Sequence, residues 1–313
     1  MIATVSNFYS QLHQRGALRI SGPDSRSFLQ GQTSCDIEQL GSSHSISGAY
    51  CTPQGRMVCD FRLLALAEDD LLLLMPGDIC PLALQTFAKY IVFSRAEIAV
   101  ATQSWAQLAA WGPGIGQTIG APETASGLAW QHGNSYWVQV DAQGQHFEAV
   151  TPAGELVAAT EALADCAESV AESRYQLQEI LAGVAHVSAA TSGMFLPQML
   201  NYQLTDRVSF SKGCYTGQEV VARMHYRGKV KRPMLHARAD IDAAPAAATP
   251  LFSKNREQSV GHVLGAAASS DGVHLLVNVE RKAIAGDVHL AEPGGALLEF
   301  LPLPYALEDE DSA

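Results

Sequence analysis

The octapeptide Lys212-Gly213-Cys214-Tyr215-Thr216-Gly217-Gln218-Glu219 gathers more chemically able residue types than any other stretch of this 313-residue chain. Cys214 stands three residues before Gly217, and the neighbouring glycines permit a tight backbone path. Helical spacing begins at or just after Thr216. A thiol at a helix N-terminus meets unpaired N–H groups and the positive end of the dipole, which favour the thiolate. Lys212, Arg223 and His225 are further positive neighbours. The alternative is a small buried hydrophobe, as free cysteines often are.

The motif lies in a basic stretch. Residues 207–238 hold eight Lys or Arg (207, 212, 223, 227, 229, 231, 232, 238) against one acid, Glu219. Such a patch suits the polyglutamate tail of a cofactor, an RNA backbone or an acidic partner, and otherwise reads as a solvated linker. Tyr215 and Tyr226 in the same stretch are either stacking platforms for a base or pterin ring, or core. Asp60 and Glu179 sit inside apolar stretches, 58–66 and 177–184. A buried carboxylate there would hold the ring N–H groups of a heterocycle, whereas an exposed one would serve as a local cap. The histidines, His186 among them, show no HxxxH or HxH spacing and read as ordinary, so no metal site is expected. Six cysteines (35, 51, 59, 80, 166, 214) without a CxxC pair exclude a disulfide scaffold, a zinc ribbon and a self-contained iron–sulfur ligand set. GxSxG, P-loop and zincin motifs are absent.

The elements that must position these residues read as α+β. A strand at 17–21 leads through Gly22-Pro23-Asp24 into a helix containing Phe28 and Leu29. From 45 to 100 follow a strand, the Pro53-Gln54-Gly55 turn, a strand over 57–67, an acidic turn, a strand over 71–75, a helix near 78–90 and a last strand. Strands are expected at 105–112, 128–130, 136–140 and 146–151, with helical spacing over 154–166 and 176–186. Glycines 112, 114, 116 and 120 miss the GxGxxG spacing and read as a loop. The span 197–217 is loop-rich, 218–224 starts a helix, and an Ala/Pro-rich 242–250 precedes a hairpin over 261–268 and 274–279. With 297–301 this predicts a small C-terminal β-barrel or sandwich.

Apolar residues make up 47% and charged residues 17%, with a net charge of −12, so a full core is available and polyanions are repelled overall. The N-terminal residues lack a secretory pattern, and no apolar run nears the roughly 18–20 residues that span a bilayer. The expectation is a reduced, cytoplasmic protein without a membrane segment, read as a monomer.

Five collinear segments carry a family resemblance. KGCYTGQEVVAR at 212–223 resembles the signature of the YgfZ family, folate-binding relatives of the aminomethyltransferase T-protein of glycine cleavage. SGPDSRSFLQGQTSCDI at 21–37, AYCTPQGRMVCDFRL at 49–63, FAKYIVFSRAEI at 87–98 and TSGMFLPQMLNYQ at 191–203 are similar to its other segments, in order. The resemblance implies a GcvT-like fold of α+β units, one ferredoxin-like, and a C-terminal β-barrel. It divides the chain into a folate-binding region at 1–230, made of two interwoven α+β units with the second near 45–100, a barrel at 231–307 and an acidic tail at 308–313.

The resemblance also implies a role in assembly or repair of iron–sulfur enzymes, tRNA-modifying ones included, and dependence on tetrahydrofolate. Cys214 becomes the redox or cluster-handling thiol, Gly213 and Gly217 the motif backbone, and Asp60, Tyr175, Glu179, Lys212, Tyr215, Gln218, Glu219 and Arg223 the folate contacts. Three departures stand out. Leu181-Ala182-Gly183 replaces a Glu-Ala-Gly-like triplet, and Glu179, two helical positions away, points about 160° from the missing acid. Cys59 stands where T-proteins carry the first of two acids, and Tyr175 falls where some relatives have tryptophan. These argue against full aminomethyltransferase chemistry and for an accessory role, non-catalytic or of transferase ancestry. A tRNA-contacting protein gripping through 207–238 is the second expectation, and a one-carbon transferase the third.

Overall fold

The computed structural model describes residues 7–254 and 256–307. The acidic tail expected at 308–313 lies outside the described residues, as do the first six positions. Six α-helices are described: α1 (Ser25–Gln32), α2 (Cys80–Ile91), α3 (Ile115–Thr118), α4 (Leu156–Ala164), α5 (Glu172–Leu181) and α6 (Gln218–Arg227). Among the described residues no helix is long and apolar enough to cross a membrane.

The chain forms two compact units. The first comprises Met1–Gly31, Cys35–Gly48 and Phe61–Glu172, the second Gln32–Ser34, Ala49–Asp60 and Ser173–Ala313. The first unit holds a six-stranded sheet in the order Glu168–Ser169, Phe8–Gln11, Trp105–Trp111, His146–Pro152, Ser135–Gln139, Ala129–His132. Antiparallel pairing such as Phe147 with Ala110 directs Leu108, Ala110, Trp137 and Phe147 to one face, where Leu163 of α4 and Ile115 of α3 close a core. The glycines at 112–120 therefore carry one helical turn, α3, where the sequence reads as loop.

A five-stranded sheet runs Ile46–Cys51, Met57–Ala67, Asp70–Pro76, Arg15–Ser21, Glu97–Val100. Residues Ala49–Asp60, which include the turn between its first two strands, belong to the second unit. Leu71 to Met75 are all buried, consistent with their unbroken apolar run. The long strand Met57–Ala67 is buried from Met57 through Phe61, which carries Asp60 into the interior.

The second unit ends in a curled antiparallel sheet, a half-barrel, in the order Val288–Leu290, Pro250–Ser253, Gly261–Ser269, Gly272–Val279, Met234–Ala239, Glu299–Leu301. A bulge between Val263 and Gly265 bends the central hairpin, as an extra residue in one strand does. Inside the curl, Leu251, Val263, Val273, Leu275 and Val277 form one core. A second core joins Ala49, Cys51 and Met57 to Ile180, Tyr202, Val221 and Met234, and this packing supports the motif loop.

Helix α5 begins earlier and ends sooner than the spacing of 176–186 predicts. The apolar period continues through Val184, but Gly183 turns left-handed (φ +67°) and the Gly183 and Val184 N–H groups donate back to the Ile180 and Glu179 carbonyls. A Cβ at 183 would meet the Tyr305 ring at 2.8 Å, so the reversal is specific to glycine. The chain leaves the helix here, which frees His186 to fold back toward Glu179.

Candidate functional site

The motif loop is anchored from both sides. Gly217 caps α6 in the left-handed region (φ +85°), and a Cβ on it would lie 2.4 Å from the Thr52 carbonyl oxygen and 3.1 Å from Gly55. Gly55, itself at φ +75°, packs under Val220. The Pro53-Gln54-Gly55 turn and the start of α6 thus meet through two glycines too close to admit side chains. On the N-terminal side, the buried Lys212 ammonium donates to the Thr33 carbonyl at 2.8 Å and lies 5.3 Å from the centre of the buried Tyr215 ring. Thr216 and Gln32 side-chain oxygens lie 3.3 Å apart.

Between these anchors Gly213 and Cys214 are exposed. Cys35, Cys51, Cys59 and Cys80 are buried and Cys166 is half-buried. Burial pushes the Cys51 thiol up to about 12, and burial with the nearby Asp78 pushes Cys80 up to about 11, so neither forms a thiolate readily. Cys214 precedes the Gly217 cap by three residues and stands on a held loop outside the first turn of α6.

Asp60 is fully buried and is the hub of an ionic cluster. Val187 N–H donates to its Oδ1 at 2.6 Å, Arg207 Nη1 donates to Oδ2 at 2.7 Å, and His186 Nδ1 lies 2.8 Å from the same Oδ2. The other ring nitrogen, Nε2, lies 3.1 Å from Glu179 Oε1. Each ring nitrogen of His186 thus faces one carboxylate oxygen, which ties the two acids into a single network. Burial alone would raise the Asp60 carboxyl, but His186, Arg207 and the Val187 N–H outweigh it and bring it down to about 2. The Arg207 guanidinium also covers the Tyr202 ring at 4.9 Å, and burial holds the Tyr202 hydroxyl well above the ordinary phenol range while it donates to the Ala185 carbonyl.

His186 and Arg207 are the residues that sequence reasoning missed. His186 lacks a metal-type neighbour in sequence, and Arg207 counts there as one more patch cation. The structure brings Asp60 and Glu179 into one cluster through His186. The basic stretch is accordingly divided. Arg207 and Lys212 are buried, Arg232 pairs with Glu280, and Arg238 pairs with Glu299 and Asp271. Arg223, Arg227, Lys229 and Lys231 remain exposed. Of the remaining candidate contacts, Tyr175 is buried, Gln218 is half-buried and Glu219 is exposed. Among the described residues no three His, Cys, Asp or Glu side chains group as metal ligands.

No family model matches the chain. It is 30% identical over 305 residues to the tRNA-modifying protein YgfZ of Yersinia enterocolitica, covering 93% of this chain and 90% of that one. The protein of the same name from Yersinia pseudotuberculosis is 31% identical over 300 residues, with the same coverage. Among solved structures, the glycine cleavage system aminomethyltransferase T of Bartonella henselae superposes with a TM-score of 0.74 at 16% identity, over 95% of this chain and 85% of that one. The fold is therefore that of the T-protein, and its α+β layout with a C-terminal half-barrel agrees with the expectation from sequence. By identity and coverage together with the KGCYTGQE loop, the chain belongs to the YgfZ family.

Proposed function

We propose that this protein is an accessory factor for tRNA modification that serves the assembly or repair of iron–sulfur enzymes, with Cys214 as its working thiol. The observation that carries this reading is the exposure of Cys214 on a loop anchored at both ends, while four of the other five thiols are buried. A single thiol supplies one sulfur bond, so a cluster in transit would take its other ligands from the client enzyme. The loop's task is to present that thiol without strain, and Gly217 and Lys212 hold it there.

Tetrahydrofolate belongs to the same reading as a second ligand, but not through Asp60. Both Asp60 oxygens accept hydrogen bonds from the protein and the side chain is wholly enclosed, so it does not fit a contact with a pterin ring. Glu179 is likewise engaged with His186. Of the proposed folate contacts, Gln218, Glu219 and Arg223 on α6 are the accessible ones.

Complementation tests the thiol. In a strain lacking its native homologue, Cys214→Ser is expected to abolish rescue of tRNA thiomethylation, while Cys166→Ser rescues fully. Undiminished modification with Cys214→Ser would remove the thiol from the function. Anaerobic titration calorimetry with tetrahydrofolate tests the second ligand: binding lowered by Arg223→Gln supports it, and no heat at several temperatures rejects it.

A further inference from the structure

We propose that the outer face of α6 binds single-stranded RNA, with Tyr226 as a stacking platform for a base and Arg223 and Arg227 as phosphate contacts. This goes beyond the thiol role and uses no part of it; Arg223 alone is shared with the folate reading, which Tyr226 and Arg227 do not enter. Residues three and four apart share a helix face, so Arg223, Tyr226 and Arg227 stand together, on the side away from the buried Val221. Glu219, one turn earlier on that face, bounds the patch with opposite charge.

Tyr226 is 69% exposed, yet its ring is held. His225 stacks on Phe210 with centroids 3.8 Å apart and 13° between planes, and Tyr226 stands edge-on to both, at 4.9 and 6.3 Å. A lone exposed aromatic is ordinary on a protein surface. An exposed aromatic packed edge-on against two further rings and bordered by cations has less rotamer freedom to lose on binding than a lone one. Among the described residues, Arg223, Arg227 and Lys231 enter no ion pair, whereas Arg207, Arg232 and Arg238 each meet a carboxylate. Two of these three cations, Arg223 and Arg227, share the helix face of the exposed ring.

Charge and ring together select the ligand. The chain's net charge of −12 repels polyanions at long range, and screening confines that repulsion to about 8 Å at physiological salt. A dense local patch then decides binding at contact. Cations alone would suit an acidic peptide equally well. The held aromatic face adds a stacking contact that a nucleobase offers and a carboxylate side chain lacks. Bases within a duplex are already stacked, so the fit is to an unpaired segment.

The test is fluorescence anisotropy of the purified full-length protein with a labelled single-stranded oligoribonucleotide, a duplex of the same length and a polyglutamate peptide, each across a salt series. The wild type is expected to bind the single strand best, with affinity falling as salt rises. Tyr226→Ala should weaken it roughly 10- to 100-fold without changing the salt slope, and Tyr226→Phe should restore it. Arg223→Gln with Arg227→Gln should reduce the log–log salt slope by about 1.4, two single-strand phosphate contacts. All these side chains are exposed, so the variants should keep the wild-type circular dichroism. Absence of RNA binding at low salt, equal binding of duplex and single strand, or a Tyr226→Ala variant that binds as tightly as wild type would overturn the proposal. Preference for the peptide would overturn it in favour of an acidic protein partner. None of these outcomes bears on Cys214, whose role is read by complementation.

Discussion

Replacing Asp60 by Asn would keep its shape and remove its charge, leaving the Arg207 guanidinium buried against an amide. Breaking a buried pair from one side costs about 3–5 kcal/mol, because the remaining ion loses its compensation. Asp60→Asn is therefore expected to lower the urea midpoint strongly, and adding Arg207→Met should recover part of the loss. An unchanged midpoint in the single variant would mean that the cluster contributes nothing. Thiols provide a second residue-scale prediction. In the native protein a thiol reagent should modify Cys214 first and Cys166 more slowly, with the four buried thiols reacting only on unfolding; early loss of Cys51 would contradict its burial. Cys214 is singled out in sequence by the nearby Gly213 and Gly217, while its exposure is given by the fold alone. The partners of Asp60 are not legible there, because His186 and Arg207 lie 126 and 147 residues away and only the tertiary fold joins them.

Elements with strong local signals follow the sequence closely. The strand over 57–67 matches Met57–Ala67 because the Pro53-Gln54-Gly55 turn and the acidic turn bound it, and the C-terminal hairpin is marked by Ser270-Asp271-Gly272. Helix α5 departs because its apolar spacing runs on past a glycine whose carbonyl accepts from the hydroxyl of Tyr305, a remote residue whose ring leaves no room for a Cβ. The motif's two glycines separate in the same way. Gly217 has φ +85° and a backbone carbonyl at its missing Cβ, whereas Gly213 has open space around it. Gly217→Ala should cost more than the roughly 1–2 kcal/mol of a left-handed alanine, since the Thr52 carbonyl must also move. It should also weaken complementation by displacing Cys214. Gly213→Ala should stay within about 0.5 kcal/mol of wild type by thermal denaturation. Similar losses at both positions would show that the two glycines are not distinguished by backbone geometry.

The whole molecule's response to acid brings together groups from both ends of the second unit. In the half-barrel, His236 Nε2 lies 2.9 Å from His274 Nδ1, and His274 Nε2 lies 3.2 Å from Asp271 Oδ1. Burial holds His236 below the ordinary imidazole range, with His274 adding to the effect, and burial does the same to His262. The unfolded chain takes up those protons near 6.5 while the folded one resists them, so stability falls as pH drops below that value. Asp60 acts at lower pH. Its carboxyl is depressed from 3.8 to about 2, so its contribution is complete above 3.8 and is lost as pH falls toward 2. That contribution is on the order of 2 kcal/mol. Acid also reduces the net charge of −12, and the relief of self-repulsion works in the opposite direction. The difference between variant and wild type, followed by urea denaturation from pH 8 to 3, separates these effects because the net-charge term is nearly common to both. His236→Gln should shrink the decline that starts below 6.5 and leave the one below 3.8 intact, and Asp60→Asn should do the reverse. If His236→Gln tracks the wild type at every pH, His236 does not couple protonation to folding, and the acid response then belongs to His262 and the carboxylates.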